Sequence, residues 1–232
     1  MSLASILETA ARHRTTLRHY GPAESDLATQ FAGRNVTVDT RSLPPDGPAP
    51  FVVIEDDGAF LGAISEDDLQ SFLSPSTTPP WRMDEAGDEY SVLYTLLEDT
   101  LFTSLDRRQL LGAAREIEDR AYRVGRGHLS VGFQSRTAFE AQRDLYQRLA
   151  GETDLDIDVY VVDETPTEEL TGLTVHVEPT PEIGRYWTMA FDGGNDPSQQ
   201  CALVAEHRGD SYEGVWTYDP RLVDRVFAAL DG

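Results

Sequence analysis

In "DLDIDVYVVD" three aspartates, Asp154, Asp156 and Asp158, stand at alternate positions, the opening pattern of an oxygen-rich calcium loop. The rest of that loop is missing, because the sixth position is Val159 rather than glycine and the twelfth is Thr165 rather than glutamate. Alternation of Leu155, Ile157, Val159 and Val161 with these aspartates instead describes a strand wet on one face. Gly125, Gly127 and Gly132 in "VGRGHLSVG" miss the spacing of a dinucleotide fingerprint and follow a helix, so helix termination accounts for them. "FDGGND" reads as a hairpin turn. The five histidines, at 13, 19, 128, 176 and 207, form no local pair at ligand spacing, and Cys201 lies mid-strand in "CALVAEH". No nucleophile elbow, P-loop or histidine–glutamate metal motif is present. The sequence therefore asks for no catalytic residue, no metal and no cofactor.

A sharper question is set by "YEGVWTYDP". Trp216 and Tyr218 share a face if the segment is a strand. Together with Trp187 and Tyr146 they could frame a ligand platform, or they could plug the junction between the last strand and the last helix.

These residues need elements to hold them. A first amphipathic helix over residues 2 to 13 follows from Leu3, Ile6, Leu7, Ala10 and Ala11, with Ser2 as its cap. "TTLRHY", "NVTVD" and the hairpin "FVVIE", "DDG", "AFLGAIS" supply strands, and helices fall at 24–31 and through Leu69, Phe72 and Leu73. "SPSTTPP" reads as a linker, dividing an N-terminal α/β unit, 1–80, from a larger α/β unit, 81–232. Beyond it come a helix through Val92 to Leu101, which offers a surface for a homodimer, and a long helix from Leu110 to Val124. A strand "HLSVGF" follows, and then a helix capped by Ser135 or by a Thr137–Glu140 capping box, with Ala138, Ala141, Leu145 and Leu149 buried. The remaining chain is mostly strands, closed by a helix that Asp219 caps and Pro220 begins. The expected class is α/β, with α+β as the variant: a mixed sheet flanked by helices.

Composition narrows the partners. The chain of 232 residues carries 41 acidic against 19 basic residues, a formal net charge of -22, and every basic residue is arginine. Such a surface repels nucleic acids and anionic membranes. It also suits a salt-rich interior, since molar salt shortens the Debye length to roughly 3 Å. One cysteine excludes an internal disulfide. "MSLASILETAARHR" lacks a signal peptide's basic leader and places Glu8 in its apolar stretch, so a cytoplasmic location is expected.

Two resemblances add to this reading. "GAISEDD", after "PFVVIEDDGAFL", resembles the ribose-phosphate motif of cystathionine-β-synthase-type regulatory modules, which implies an adenine nucleotide held by Gly62, Ser65 and Asp68. Ser65 as a helix cap and Asp68 in a first helical turn explain the same letters. From about Asp106 onward, "REIEDRAYRVGRGHLSVGFQ", "FEAQRDLYQRLA", "RYWTMAFDG", "CALVAEH" and "YEGVWTYDP" together resemble the DICT sensory domain. The first 105 residues look like the extension carried by haloarchaeal members. The resemblance implies a non-enzymatic sensor that binds a small ligand or a signalling protein, such as a histidine kinase or a transcription regulator. No cyclase, kinase or DNA-binding segment is recognisable in the chain, so its output is expected to pass through a separate partner.

Overall fold

A computed structural model describes residues 2–10, 15–22, 26–31, 36–44, 46–73, 79–82, 102–105, 107–162, 170–177 and 181–230. Period-two patterning builds a four-stranded sheet from β1 (Thr15–Gly21), β2 (Val36–Ser42), β3 (Phe51–Asp56) and β4 (Ala59–Ser65), in the order β2-β1-β3-β4. β1 runs parallel to β2, and β3 is antiparallel to both β1 and β4. The β3–β4 turn places Asp57 and Gly58 at φ 45° and 82°, the paired positive values that match a tight turn to the twist of its strands. Leu17, Val52 and Ile54 are buried with Leu27 of α2 (Leu27–Gln30), Phe31 and Leu69 of α3 (Glu66–Leu73). β4 is an edge strand among the described residues, with Phe60 67% exposed.

Further along the chain, a seven-stranded sheet has the order β5-β11-β10-β9-β6-β7-β8. Its strands are β5 (Phe102–Leu105), β6 (Arg126–Phe133), β7 (Asp154–Val161), β8 (Leu173–Val177), β9 (Tyr186–Phe191), β10 (Cys201–Arg208) and β11 (Ser211–Thr217). β6, β7 and β8 are parallel, while the other pairings are antiparallel. The expected mixed α/β architecture with helices flanking sheets is what the chain adopts.

Both faces of this sheet are covered. Leu129, Val131, Ile157, Met189, Leu203 and Trp216 belong to the cluster that includes Leu110, Ala114 and Ile117 of α4 (Arg107–Val124) and Leu149 of α6 (Arg143–Glu152). The opposite face, with Tyr186, Ala190, Ala202, Val204 and Val215, meets Leu3, Ile6 and Leu7 of α1 (Leu3–Ala10), Ile183 of α7 (Pro181–Arg185) and Val223, Val226 and Leu230 of α8 (Pro220–Leu230). The first helix thus packs on the larger sheet, although the smaller one follows it in sequence. No helix among the described residues is long and apolar enough to cross a membrane.

Local signals set several boundaries. Ser2 Oγ accepts from Ser5 N at 3.4 Å. Gly125 stops α4 at φ 69°, where a side chain would be strained. Asp219 Oδ1 accepts from Arg221 N at 2.9 Å, with Pro220 opening α8.

Three expectations are corrected. The helix after β6 is two helices, α5 (Arg136–Glu140) and α6, separated at Ala141 and Gln142. Ser135 is the cap, accepting from Ala138 N at 3.2 Å. Thr137 therefore lies inside α5 and no capping box forms, while Glu140 faces Arg136 and Arg143 at 3.4 and 3.6 Å. Ala141, at the break, is exposed rather than part of a buried stripe. The polar face of β7 is also wet only at its start, since Tyr160 is buried at 3% exposure within the second layer. The expected helix at 92–101, with its dimer surface, and residues 74–78 of the linker lie outside the described residues.

Candidate functional site

α4 carries charge into the interior. Along "REIEDR", Arg115, Glu116, Glu118, Asp119 and Arg120 are all buried, which a helix tolerates only if each charge finds a partner. Arg115 pairs with Glu118 one turn on, and its Nη2 donates to Gln142 Oε1 at 2.6 Å. Tyr146 Oη donates to Glu118 Oε1 at 2.7 Å. Burial raises the Glu118 carboxyl, with Arg115 and the Tyr146 hydrogen bond pulling the other way. Burial, and then the Glu118 charge, push the Tyr146 hydroxyl well above its usual value.

A second set lies further along the helix. Arg120 Nη2 meets Glu116 Oε1 at 3.4 Å, and its guanidinium sits 4.6 Å from the centre of the Tyr218 ring, a cation–π distance. Burial works against the charge on Arg120, yet Tyr218, Cys201 and Glu116 more than offset it and the group is raised. Burial pushes the Cys201 thiol up to about 12.

The α5–α6 break is where this network reaches a hollow. A cavity of about 450 Å³ opens between the start of α4 (Arg107, Leu111), the end of β6 and its cap (Phe133, Gln134, Ser135), α5 (Thr137, Ala138), the break (Ala141, Gln142) and the rings of Trp187 and Tyr212. Its volume falls in the range of small-molecule sites, about 300–1,000 Å³. It lies at the carboxyl end of β6, the end of the strands outside which ligands commonly bind in open α/β sheets. Trp187 and Tyr212 meet edge to face at 6.3 Å. A second, more open hollow shares Ala141 and Gln142 and is lined by Arg115, Arg148 and Trp81. There the Arg148 guanidinium lies 4.2 Å from the Trp81 ring centre, so the stretch just after the proline-rich segment is seated on α6.

Of the four rings singled out in the sequence, only Trp187 lines the cavity. Trp216 is 4% exposed within the apolar cluster, Tyr146 is committed to Glu118, and Tyr218 lies under Arg120. The four are not brought into one pocket. In the smaller sheet Gly62 pairs with Ile54 in the hairpin. Ser65 Oγ accepts from Asp68 N at 3.0 Å and donates to Asp68 Oδ2 at 2.6 Å, the geometry of a helix cap.

Strand register also assembles a group that periodicity does not reveal. Asp158 stands between two imidazoles, with His128 Nε2 2.6 Å from Oδ2 and His176 Nε2 2.6 Å from Oδ1. Ser130 Oγ is 3.2 Å from His128 Nε2. His128 stacks on Phe227 and His176 on Tyr160, with centroids 5.2 and 4.6 Å apart. This cluster lies on the α8 side of the sheet, and among the described residues no group of three such side chains has the geometry to hold a metal ion. Parallel pairing of Tyr160 with His176 is the signal that would have found it.

A search of the curated proteins found no match. Among solved structures the chain is similar to polyphosphate kinase from Porphyromonas gingivalis at 10% sequence identity and a TM-score of 0.41, covering 99% of this chain and 47% of that one. The chain thus spans about half the length of that enzyme. Residues 90–208, just over half of the sequence, match the model of DICT, the sensory domain in diguanylate cyclases and two-component systems, and the chain belongs to that family.

Proposed function

We propose that this chain is a non-enzymatic signal-input module, which receives a small molecule in the Trp187 cavity and passes the event to a separate signalling protein. One observation carries the reading. Gln142 lines the cavity and at the same time holds Arg115, the end of a buried chain that continues through Glu118 to Tyr146. An occupant that draws Gln142 away leaves a buried guanidinium short of an acceptor. That costs about 1–3 kcal/mol, and about 1.4 kcal/mol is a tenfold shift between two packings of the α5–α6 break. The second hollow, on the other side of Gln142, couples the same break to Trp81.

A histidine kinase or a transcription regulator is the partner class this reading favours, in a salt-rich cytoplasm suited to a lysine-free chain of net charge -22. The division near residue 80, with a smaller N-terminal unit beside the sensory unit, belongs to the same proposal. An adenine nucleotide at Ser65 and Asp68 has weaker support, because those side chains already satisfy each other.

Native mass spectrometry of the full chain tests the cavity. A co-purified small molecule is expected in the wild type and should be missing from Ala138→Trp, which fills the hollow. The same bound mass in both proteins would place the receptor elsewhere.

A further inference from the structure

We infer that the cavity selects a small monocarboxylate with a planar, apolar body, anchored by Arg107. This rests on the cavity reading above and adds the chemistry of the occupant. In a chain with 41 acidic residues against 19 arginines, the described residues that line the cavity include one arginine and no carboxylate. Further along α4, Arg115, Arg120 and Arg123 are each held by an acidic side chain of the same helix. Arg107 has no such partner among the described residues, and it is exposed beside the cavity. It is the first residue of an 18-residue helix with no acidic residue in its first turn, so the positive end of the helix reinforces its charge.

A single cation matches a single anionic group. A nucleoside di- or triphosphate would bring more charge than one arginine offsets. The planar guanidinium fork fits a carboxylate through two parallel hydrogen bonds. Beyond it the wall is formed by Leu111, Phe133, Trp187 and Tyr212, which accept a flat apolar body edge-on or offset. Gln142 remains as the hydrogen-bonding group that the body can disturb.

Isothermal titration of the full chain with benzoate, phenylacetate and cinnamate, and with their primary amides, tests this at a KCl concentration where circular dichroism shows the folded chain. At least one acid should bind, with its amide weaker by tenfold or more. Arg107→Gln should weaken the acid by tenfold or more and leave the amide unchanged. Amides that bind as tightly as acids, or an acid indifferent to Arg107→Gln, overturn the carboxylate assignment, and the cavity reading stands if Ala138→Trp abolishes binding. Binding that survives Ala138→Trp overturns both. No binding by either series overturns the assignment, and the co-purified molecule then decides the cavity reading by itself.

Discussion

On one side the seven-stranded sheet meets aliphatic side chains of α1 and α8, and on the other it meets α4, which brings five buried charged residues with it. The first side is closed mainly by area: Ile6, Val223, Val226 and Leu230 cover Ala202, Val204 and Val215. Its buried acid, Glu206, is held by arginines from the sheet's margin, Arg185 and Arg208. On the second side, charge pairs run from α4 to the cavity wall. Burying area makes a seal indifferent to chemistry, whereas a buried ion pair is costly to form and costlier to break. Under the proposed function the α4 pairs matter because they reach the cavity through Gln142, whereas the polar groups described on the α8 side, Glu206 and Asp158 with its two histidines, do not line it.

The comparison breaks first at its largest effects. Glu118→Ala should cost about 3–5 kcal/mol, because it strands Arg115, and Trp216→Ala about 3–5 kcal/mol from the void it leaves. Both are read by chemical denaturation in KCl. A Trp216→Ala protein of wild-type stability that lost binding would restore the ligand-platform reading of that ring. Replacing Arg115, Glu118 and Tyr146 together by Met, Leu and Phe should be near neutral while abolishing any ligand-induced change in hydrogen exchange across α6. Tyr146→Phe should cost about 1.5–3 kcal/mol, the value of a hydrogen bond to a charged group.

On the aliphatic side, Ile6→Val should cost only about 0.5–1.5 kcal/mol and leave binding untouched. The smallest effect concerns pH. Cys201 ionises near 9 when unfolded and near 12 when folded, so the folded state keeps its proton longer. Stability from this group is full below about pH 9 and is lost as the pH rises toward 12. Urea midpoints between pH 8 and 11 should fall less steeply in Cys201→Ala than in the wild type. Equal slopes would show that burial does not hold the thiol's proton.

Periodicity made the α8 side legible, because Leu3, Ile6 and Leu7 and then Leu222, Val223 and Val226 are spaced for one helical face each. The hairpin turn at Asp57–Gly58 and the stop at Gly125 were legible for a different reason, since only a few residue types adopt positive φ readily. The cavity was not. Its described lining comes from four separated segments, and what joins Arg107 to Trp187 is sheet order rather than spacing. Burial of Arg115 and Glu118 was hidden as well, since "REIEDR" reads as a solvated face until Gln142 and Tyr146 are brought over it. Asp158 reads as a wet strand position for the same reason, and its two histidines arrive from neighbouring strands.

The seating of α1 has a consequence for how the molecule comes together. Ser5 Oγ accepts from Arg225 Nη2 at 2.9 Å, and Leu3 N donates to Glu182 Oε1 at 3.2 Å. Residues 3–10 therefore wait for a berth assembled some two hundred positions later, and the smaller sheet is strung between them as a looped-out insert. Clipping the chain ahead of Pro220 would unseat its beginning as well as its end.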